Sequence, residues 1–281
     1  MSSMCIEMLC CTDTGQVREH NEDYVGGDHA LGLVVLADGM GGYQAGEVAS
    51  ETAVKTVIEH LHTPITSLNS VKLRTNQRYH SSTVLLEQAV LKANQVIYEK
   101  AEEQNQYRGM GTTVVAAWFH NNLLSIAHVG DSRLYRLRGK QFCPLTKDHS
   151  VRQELIDCGF YTPVQARNSP NKNLVTRALG VAEKVNVEIQ ESSVLAEDIY
   201  LLCSDGLSDM LEDKEIQTII SNAKTLEQAG QFLIEAANEK GGNDNISLIL
   251  VRPLGGIVQK PKISWWKKWF GNFLNPAQTV V

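Results

Sequence analysis

Two short apolar runs, separated by only three residues, limit the folds open to this chain. Residues 113–119 and 123–129 are rich in β-branched, alanine and aromatic side chains, and only the letters HNN lie between them. A connection this short joins antiparallel strands, because a parallel crossover needs a dozen or more residues. A third run, 133–137, follows after the letters GDS. The three runs predict a meander of hairpins and argue against a strictly alternating parallel sheet.

Further strands and helices complete the predicted elements. Short β-rich runs predict strands at 5–11, 31–37, 185–189, 199–203 and 246–251. Apolar residues at helical spacing predict helices at 46–61, 85–101, 214–222 and 226–239. The polar stretch 63–82 is predicted to be a loop. Helices interspersed with antiparallel strands indicate an α+β domain in which the helices cover the faces of the sheets.

Size and charge bound the class of protein. The chain has 281 residues, 43% of them hydrophobic, which is enough for one large domain or two small ones. Its net charge of −6 disfavours a nucleic-acid binder. The first twenty residues contain Glu7 and do not resemble a secretory signal, and no apolar run approaches the roughly 18 residues that span a bilayer. We therefore expect a cytoplasmic protein.

A change in composition divides the chain into residues 1–254 and a basic tail, 255–281. The tail has four lysines and no acidic residue, so its charge is +4 and that of residues 1–254 is −10. Residues 261–275 place Trp266, Trp269, Phe270 and Phe273 on one side of a predicted amphipathic helix. Three alternatives are open for this helix: a peripheral contact with an anionic membrane, a contact with a partner protein, or packing on the rest of the chain.

Four aspartates lie at the ends of predicted strands. Asp38 and Asp205 each follow an apolar run and precede glycine, Asp131 follows the run 123–129, and Asp244 precedes the run 246–251. Each alone is typical of a turn. Together they would repel one another unless a cation lay among them. Because no cysteine and histidine cluster or EF-hand spacing accompanies them, oxygen ligands favour Mg²⁺ or Mn²⁺ over zinc or calcium.

A polar cluster near the N-terminus, with the letters REHNED over residues 18–23, offers complementary chemistry. By itself it could be a solvated turn. Its position before the strand that carries Asp38 suggests a second use. Arg18 could contact a phosphate oxygen while an acid of the cluster faces a metal ion.

Eight motifs together resemble the bacterial-type metal-dependent protein phosphatases, the PPM family of type 2C serine/threonine phosphatases. They are, in order, REHNED, LADGMGGYQAGEVAS, GMGTTVVA, AHVGDSRLYRLR, LTKDHS, TRALG, CSDGLSDML and GGNDNISLILV. The resemblance covers about residues 10–251. It implies two packed antiparallel sheets flanked by helices, an αββα sandwich, with a metal site at one end.

The resemblance also implies the ligands of two core Mg²⁺ or Mn²⁺ ions. Asp38 would bridge both ions, Glu22 and the carbonyl of Gly39 would complete one, and Asp205 with Asp244 would complete the other. The protein would hydrolyse phosphoserine and phosphothreonine in other proteins by direct attack of a metal-activated water, without a covalent phospho-enzyme.

Further roles follow from the same resemblance. Asp131 with Asp205 would hold a weaker third ion, Arg18 would bind the substrate phosphate, and Asp23 would orient a metal-bound water. A serine/threonine kinase would counteract the enzyme, which is expected to be a monomer. The segment 151–176, with Arg167 and Lys172, would form a flap beside the site.

The general acid is not assigned by the resemblance. Animal members commonly have histidine where this chain has Met40, so His128 and His149 are candidates only by their nearness in the sequence, and core or structural roles are favoured for both.

Other classes are excluded or weakened on sequence. No cysteine is followed six positions later by arginine, so a covalent-cysteine phosphatase is excluded. A metal-depleted pseudophosphatase that only binds is the remaining rival, and it is weakened because every expected ligand position is filled.

Overall fold

The computed structural model describes residues 4–42, 45–62, 78–162, 165 and 174–257. Its strands, in chain order, are β1 (Met4–Asp13), β2 (Asp23–Asp28), β3 (Leu33–Met40), β4 (Gly111–Thr112), β5 (Val114–His120), β6 (Leu123–Val129), β7 (Arg133–Arg138), β8 (Gln141–Pro144), β9 (Glu188–Ser193), β10 (Ile199–Cys203) and β11 (Ile246–Ile257). Its helices are α1 (Ala45–His62), α2 (Ser81–Glu103), α3 (Val151–Asp157), α4 (Asp205–Ser208), α5 (Asp213–Asn222) and α6 (Leu226–Glu239), with a 3₁₀ turn at Asn105–Tyr107.

Two antiparallel sheets form the centre of the fold. One has the order β1-β11-β10-β7-β8, and the other has the order β2-β3-β5-β6-β9 with β4 paired to β3. Helices α1 and α2 pack on the outer face of the second sheet, whereas α5 and α6 pack on the outer face of the first. The prediction of an α+β fold with two packed antiparallel sheets flanked by helices is confirmed.

Strand β3 shows why the apolar runs are continuous rather than alternating. Val34 and Leu36 face the core between the sheets, and Leu33, Val35 and Ala37 face the layer of α1 and α2. All five are fully buried. A strand covered on both faces excludes water from every side chain, so each position favours an apolar residue.

The predicted hairpin of residues 113–129 is confirmed, but the predicted meander is wrong for its third strand. Asn121 (φ 46°) and Asn122 (φ 61°) adopt the left-handed conformation that a tight hairpin turn requires, and β5 pairs with β6. Strand β7 then pairs with β10 and β8 in the opposite sheet. Gly130 (φ +108°) allows this change of sheet, because a side chain there would collide with Thr113.

Other predicted elements are close to those observed, with informative exceptions. Strand β9 begins at Glu188 rather than 185, and the edge strand β2 was not predicted. Its sequence, DYVGGD, contains two glycines that weaken any strand pattern. Gly26 is used for packing, because an added Cβ would lie 2.8 Å from a side-chain methyl of Val54 on α1.

Several predictions fall on residues that the structure does not describe. Most of the predicted loop 63–82 lies outside the described residues, although α2 already begins at Ser81. The tail beyond residue 257 also lies outside them. In the part of the chain that is described, no helix is both long and apolar enough to cross a lipid bilayer.

Candidate metal centre

Asp38 is held rigidly at the end of β3. Its backbone N–H donates to the hydroxyl of Thr113 at 3.1 Å, and its carbonyl accepts from the backbone N–H of Thr113 at 2.8 Å. Asp38 also lies opposite Asp23 in the pairing of β2 with β3. The backbone therefore fixes where the carboxylate of Asp38 emerges.

The other three aspartates come from the same end of the sandwich. Asp131 lies in the turn from β6 to β7, Asp205 is the first residue of α4 directly after β10, and Asp244 lies two residues before β11. Because neighbouring strands are antiparallel, the ends of β3, β6 and β10 and the start of β11 meet at one edge of the fold.

A cavity of about 410 Å³ brings most of the predicted site residues together. Seven of the eight contribute to its lining, namely Arg18, Glu22, Asp38, Gly39, Asp131, Asp205 and Asp244. The eighth, Asp23, does not contribute to the lining. The residues that were singled out along the sequence thus share one cleft, and their individual roles stay predictions.

The carboxylates of the cleft raise one another's proton affinity. Burial, followed by the negative charges of Asp23 and Asp205, raises the pKa of Asp38 well above its usual range. Burial and then Asp131 do the same to the pKa of Asp205. Burial raises the pKa of Glu22 as well. A bound divalent cation would reverse this penalty by stabilising the ionised form of each acid.

The donor set fits hard divalent cations. The charged ligands available in the cleft are carboxylates, and the backbone carbonyl of Gly39 adds a neutral oxygen. Oxygen-only ligands suit Mg²⁺ and Mn²⁺, which form weaker bonds with sulfur than zinc does. The chemistry of the residues present therefore agrees with the ions expected from the sequence.

Two glycines allow the start of α1 to approach the site. A Cβ on Gly46 would lie 2.7 Å from the carboxylate of Glu22, and a Cβ on Gly39 would overlap the carbonyl oxygen of Gly46. The backbone N–H of Gly39 also donates to the carbonyl of Glu22 at 3.1 Å. The close packing that glycine permits here positions Glu22 beside the turn that carries Asp38.

Arg18 lies at the rim of the cleft and is paired with a predicted metal ligand. Its Nη2 is 2.7 Å from Oδ2 of Asp244, and its side chain is 52% exposed. The guanidinium is thus accessible from solvent while it contacts the acidic cluster. This position suits a group that meets a negatively charged substrate as the substrate enters.

Asp23 lies one layer behind the cleft. It is buried, and its Oδ2 accepts a hydrogen bond from the hydroxyl of Ser204 at 2.9 Å. Its Oδ1 has no hydrogen-bond partner among the described residues. Burial raises the pKa of Asp23 to about 7. The structure therefore places Asp23 behind Asp38, away from the surface that a substrate would contact.

His128 and His149 form a buried, stacked pair outside the lining of the cleft. Their ring centroids are 4.7 Å apart. His128 Nε2 lies 3.0 Å from the carbonyl of Lys147, and the backbone N–H of Gly130 donates to His149 Nδ1 at 3.1 Å. Burial lowers the pKa of both histidines. They connect the chain before and after Asp131, which is a structural role rather than that of a proton donor in the cleft.

The same pair and Glu188 bring three ligand atoms within 4.8 Å of one another. The hydrogen bonds of His149 oppose metal binding, however. Because His149 Nδ1 accepts a hydrogen bond, its proton belongs on Nε2, which lies 3.2 Å from Glu188 and 3.3 Å from the guanidinium of Arg177. A protonated Nε2 has no free lone pair to offer a metal ion. The positive charge of Arg177 beside it would also repel a cation.

The flap predicted at 151–176 is described only in part. Arg167 and Lys172 lie outside the described residues. The start of the segment forms helix α3, which polar composition did not indicate. Ser150 caps this helix, because its side chain accepts a hydrogen bond from the N–H of Gln153. Serine directly before the helix, with glutamine three residues later, was the available signal.

Asn245 is a structural residue of the site that sequence reasoning did not single out. Its Oδ1 accepts from the backbone N–H of Glu22 at 2.8 Å, and its Nδ2 donates to the carbonyls of Thr14 and His20, both at 2.9 Å. It joins the segment of Arg18 and Glu22 to the start of β11. The sequence pattern indicated its neighbour Asp244 instead, because that argument rested on clustered negative charges and an amide carries none.

Comparisons with known proteins agree with the geometry. The sequence profile of a family described as protein phosphatase 2C matches residues 11–250. The chain is 38% identical to the serine/threonine phosphatase stp of Listeria innocua over 243 residues, which cover 85% of this chain and 93% of that one. It is 34% identical to the protein phosphatase PhpP of Streptococcus pneumoniae, covering 88% of this chain and 97% of that one.

A solved structure of a similar protein contains metal ions. The catalytic domain of the serine/threonine protein phosphatase PstP, in complex with two manganese ions, is 33% identical to this chain. The match covers 90% of this chain and all of that one, with a TM-score of 0.77.

Proposed function

Because this chain belongs to the protein phosphatase 2C family and is a metal-dependent serine/threonine phosphatase, we propose that its acidic cleft hydrolyses phosphoserine and phosphothreonine without a covalent intermediate. The observation that carries this proposal is the single cavity shared by Arg18 and five acids. No cysteine contributes to the lining of the cavity, so a covalent thiol route has no residue there to use.

We propose that Glu22, Asp38 and the Gly39 carbonyl hold one Mg²⁺ or Mn²⁺ ion, and that Asp38, Asp205 and Asp244 hold another. When bound, such ions supply a water of lowered pKa and neutralise the charge of the phosphoryl group. Glu22, Asp38, Asp205 and Asp244 line one cavity, which supports sharing of these acids between neighbouring ions.

We assign supporting roles to three further residues. Asp131, next to Asp205, would hold a weaker third ion. Arg18 would contact a phosphate oxygen, because its half-exposed guanidinium is already at the rim and can leave Asp244 when a cation takes over that carboxylate's charge. Asp23 would act from behind Asp38, through its acceptor oxygens, to orient water in the site. The general acid is not assigned.

Hydrolysis of two substrates tests this proposal. With Mn²⁺, the wild-type protein should hydrolyse p-nitrophenyl phosphate and a phosphothreonine peptide, and excess EDTA should abolish both rates. Asp38→Ala should lower both rates by at least about 100-fold, because it removes the ligand shared by both ions. Glu51→Ala, which removes an exposed carboxylate on α1, is the matched control and should retain the wild-type rates.

Two outcomes would contradict the proposal. Equal rates with Mn²⁺ and with EDTA would exclude metal-dependent chemistry. An Asp38→Ala variant as active as Glu51→Ala would remove the acidic cleft from the mechanism.

We also propose a cellular setting for the enzyme. Phosphoserine and phosphothreonine substrates require a serine/threonine kinase that supplies them, and we propose that the enzyme acts against such a kinase as a monomer. All six cysteines are free, which supports a reducing, cytoplasmic compartment.

The basic tail, 255–281, is proposed as a peripheral contact with an anionic membrane or a partner. Its aromatic residues and four lysines support this assignment. Deletion of residues 258–281 should abolish cosedimentation with anionic liposomes and keep phosphatase activity. Loss of folding on deletion would instead favour packing of the tail on the catalytic domain.

A further inference from the structure

Part of the lining of the cleft is apolar. Met40, Leu174 and Val175 line the same cavity as the carboxylates. Val181 lies beside Met40, because both side chains approach the position that a Cβ on Gly111 would occupy, at 2.9 Å for Val181 and 3.5 Å for Met40. We refer to Met40, Leu174, Val175 and Val181 as the apolar wall.

The backbone holds the apolar wall in place. The N–H of Val151 donates to the carbonyl of Leu174 at 2.9 Å, and the N–H of Thr176 donates to the carbonyl of His149 at 2.8 Å. Further along, Leu179 is fully buried and exchanges two backbone hydrogen bonds with Thr112. The segment that carries Leu174 and Val175 is thus fastened to residues 149–151 at the start of α3 and to β4, which pairs with the strand of Asp38.

Two side chains of the wall are exposed to solvent. Leu174 is 53% exposed and Val181 is 61% exposed, although both are large and apolar. Single exposed apolar residues are common on proteins. Here, however, Leu174 lines the same cavity as Arg18 and Asp244, and Val181 lies beside Met40, which also lines it. The lining of the cleft therefore combines charged and apolar residues.

We propose that the apolar wall binds an apolar side chain of the substrate polypeptide, one or two residues from the phosphorylated serine or threonine. This inference rests on the proposed function, because it takes the acidic side of the cleft as the site of the phosphate. A substrate chain that brings its phosphate to the acids would lie beside the wall, because Met40, Leu174 and Val175 line the same cavity as the acids. In an extended chain, successive residues advance by about 3.3 Å and point to alternate sides, so a near neighbour of the phosphoresidue reaches the wall.

The energetic reason is burial of apolar surface. Covering Leu174 and Val181 with a leucine or isoleucine of the substrate removes apolar area from water on both partners. A serine or asparagine at the same substrate position would gain nothing from the wall. The enzyme should therefore favour phosphoproteins with leucine, isoleucine, valine or methionine beside the phosphoresidue.

A set of phosphothreonine peptides tests this preference with the full-length protein and Mn²⁺. One peptide has serine at all positions flanking the phosphothreonine, and four others each have leucine at one position, from two before to two after. For at least one leucine peptide, we expect kcat/KM of the wild-type enzyme to exceed that of the serine peptide by about threefold to tenfold.

Variants locate the preference on the wall. The double variant Leu174→Ser, Val181→Ser should reduce the leucine preference to about onefold to twofold. It should leave hydrolysis of N-acetyl-phosphothreonine amide unchanged, because that substrate has no flanking side chain. Leu195→Ser is the matched control, since Leu195 is 50% exposed and lies after the end of β9 that is remote from the cleft. It should keep the wild-type preference.

Three results would overturn the inference: no leucine preference in the wild type, an unchanged preference in the double variant, or an equal loss of activity in the double variant on every substrate. Failure of the proposed function is distinguished from all three, because it would appear as hydrolysis of N-acetyl-phosphothreonine amide that does not depend on Mn²⁺.

Discussion

Replacement of Asp131 by asparagine should stabilise the protein when metal is removed. Asp131 is only 3% exposed, and burial followed by the negative charge of Asp148 raises its pKa to about 6. An unperturbed aspartate has a pKa of about 3.9, so the shift is about two units, and each unit corresponds to about 1.4 kcal/mol. The charge of Asp131 should therefore cost about 3 kcal/mol of unfolding free energy in the metal-free protein.

The pH at which this cost appears follows from the sign of the shift. Because the pKa is raised in the folded state, the folded protein binds more protons than the unfolded chain between about pH 4 and pH 6. Stability is therefore lost as the pH rises through this window. Asparagine cannot ionise, so Asp131→Asn should gain about 3 kcal/mol over the wild type at pH 8 and nothing at pH 4.

Urea unfolding in EDTA, followed by circular dichroism at pH 4 and pH 8, measures the difference. Asp198→Asn is a control of opposite sign. Burial raises the pKa of Asp198, but hydrogen bonds from Arg138 outweigh burial and hold it below its usual range. Asp198→Asn should therefore destabilise the protein at pH 8. An Asp131→Asn variant that is less stable than the wild type at pH 8, or equally shifted at both pH values, would refute the reasoning.

Three further predictions concern the site and its support. Gly46→Ala should weaken Mn²⁺ binding, measured by calorimetry, by about tenfold or more, because the added Cβ would displace the Glu22 carboxylate. Gly42→Ala is the control and should bind Mn²⁺ normally, because an added Cβ there meets nothing within 4 Å. Arg18→Ala should lower kcat/KM for a phosphothreonine peptide by about 10- to 100-fold with Mn²⁺ affinity retained, and unchanged kinetics would remove Arg18 from substrate binding. Arg152→Met should lower the urea-unfolding free energy by about 3 kcal/mol, because it leaves two carboxylates without one of their charged partners, and an unchanged midpoint would contradict this.

Predictions from the sequence were most accurate where a local pattern was strong. The bounds of strands β6 and β10 and of helix α6 agree with the predicted ranges, because each has a continuous apolar or helical pattern between clear turn residues. Strand β2 was missed, since the reason for Gly26 is contact with Val54 on α1, which is distant in sequence. The meander was wrong because short turns specify neighbouring strands, and only the packing of two sheets specifies which sheet β7 joins.

Most of the acidic residues that line the cleft could be predicted from the sequence. Asp38, Asp131, Asp205 and Asp244 could be identified because an acid at the tip of an apolar strand is costly unless something compensates it. The contacts that hold these residues in place could not be predicted from the sequence. Asn245, which joins the segment of Glu22 to β11, gives no charge signal, and its role depends on contacts between residues more than 220 positions apart.

Local rules therefore identify most of the strands, the acids that end them and the class of ion that such acids favour, because these depend on hydrophobic spacing and on the chemistry of oxygen ligands. Long-range packing settles the rest. It places Asp23 beside Asp38 in the pairing of β2 with β3 but outside the lining of the cleft, stacks His128 on His149 away from the lining, and brings apolar residues into the same cavity as Arg18. These arrangements arise from the meeting of two sheets, and no nearest-neighbour pattern in the sequence encodes that meeting.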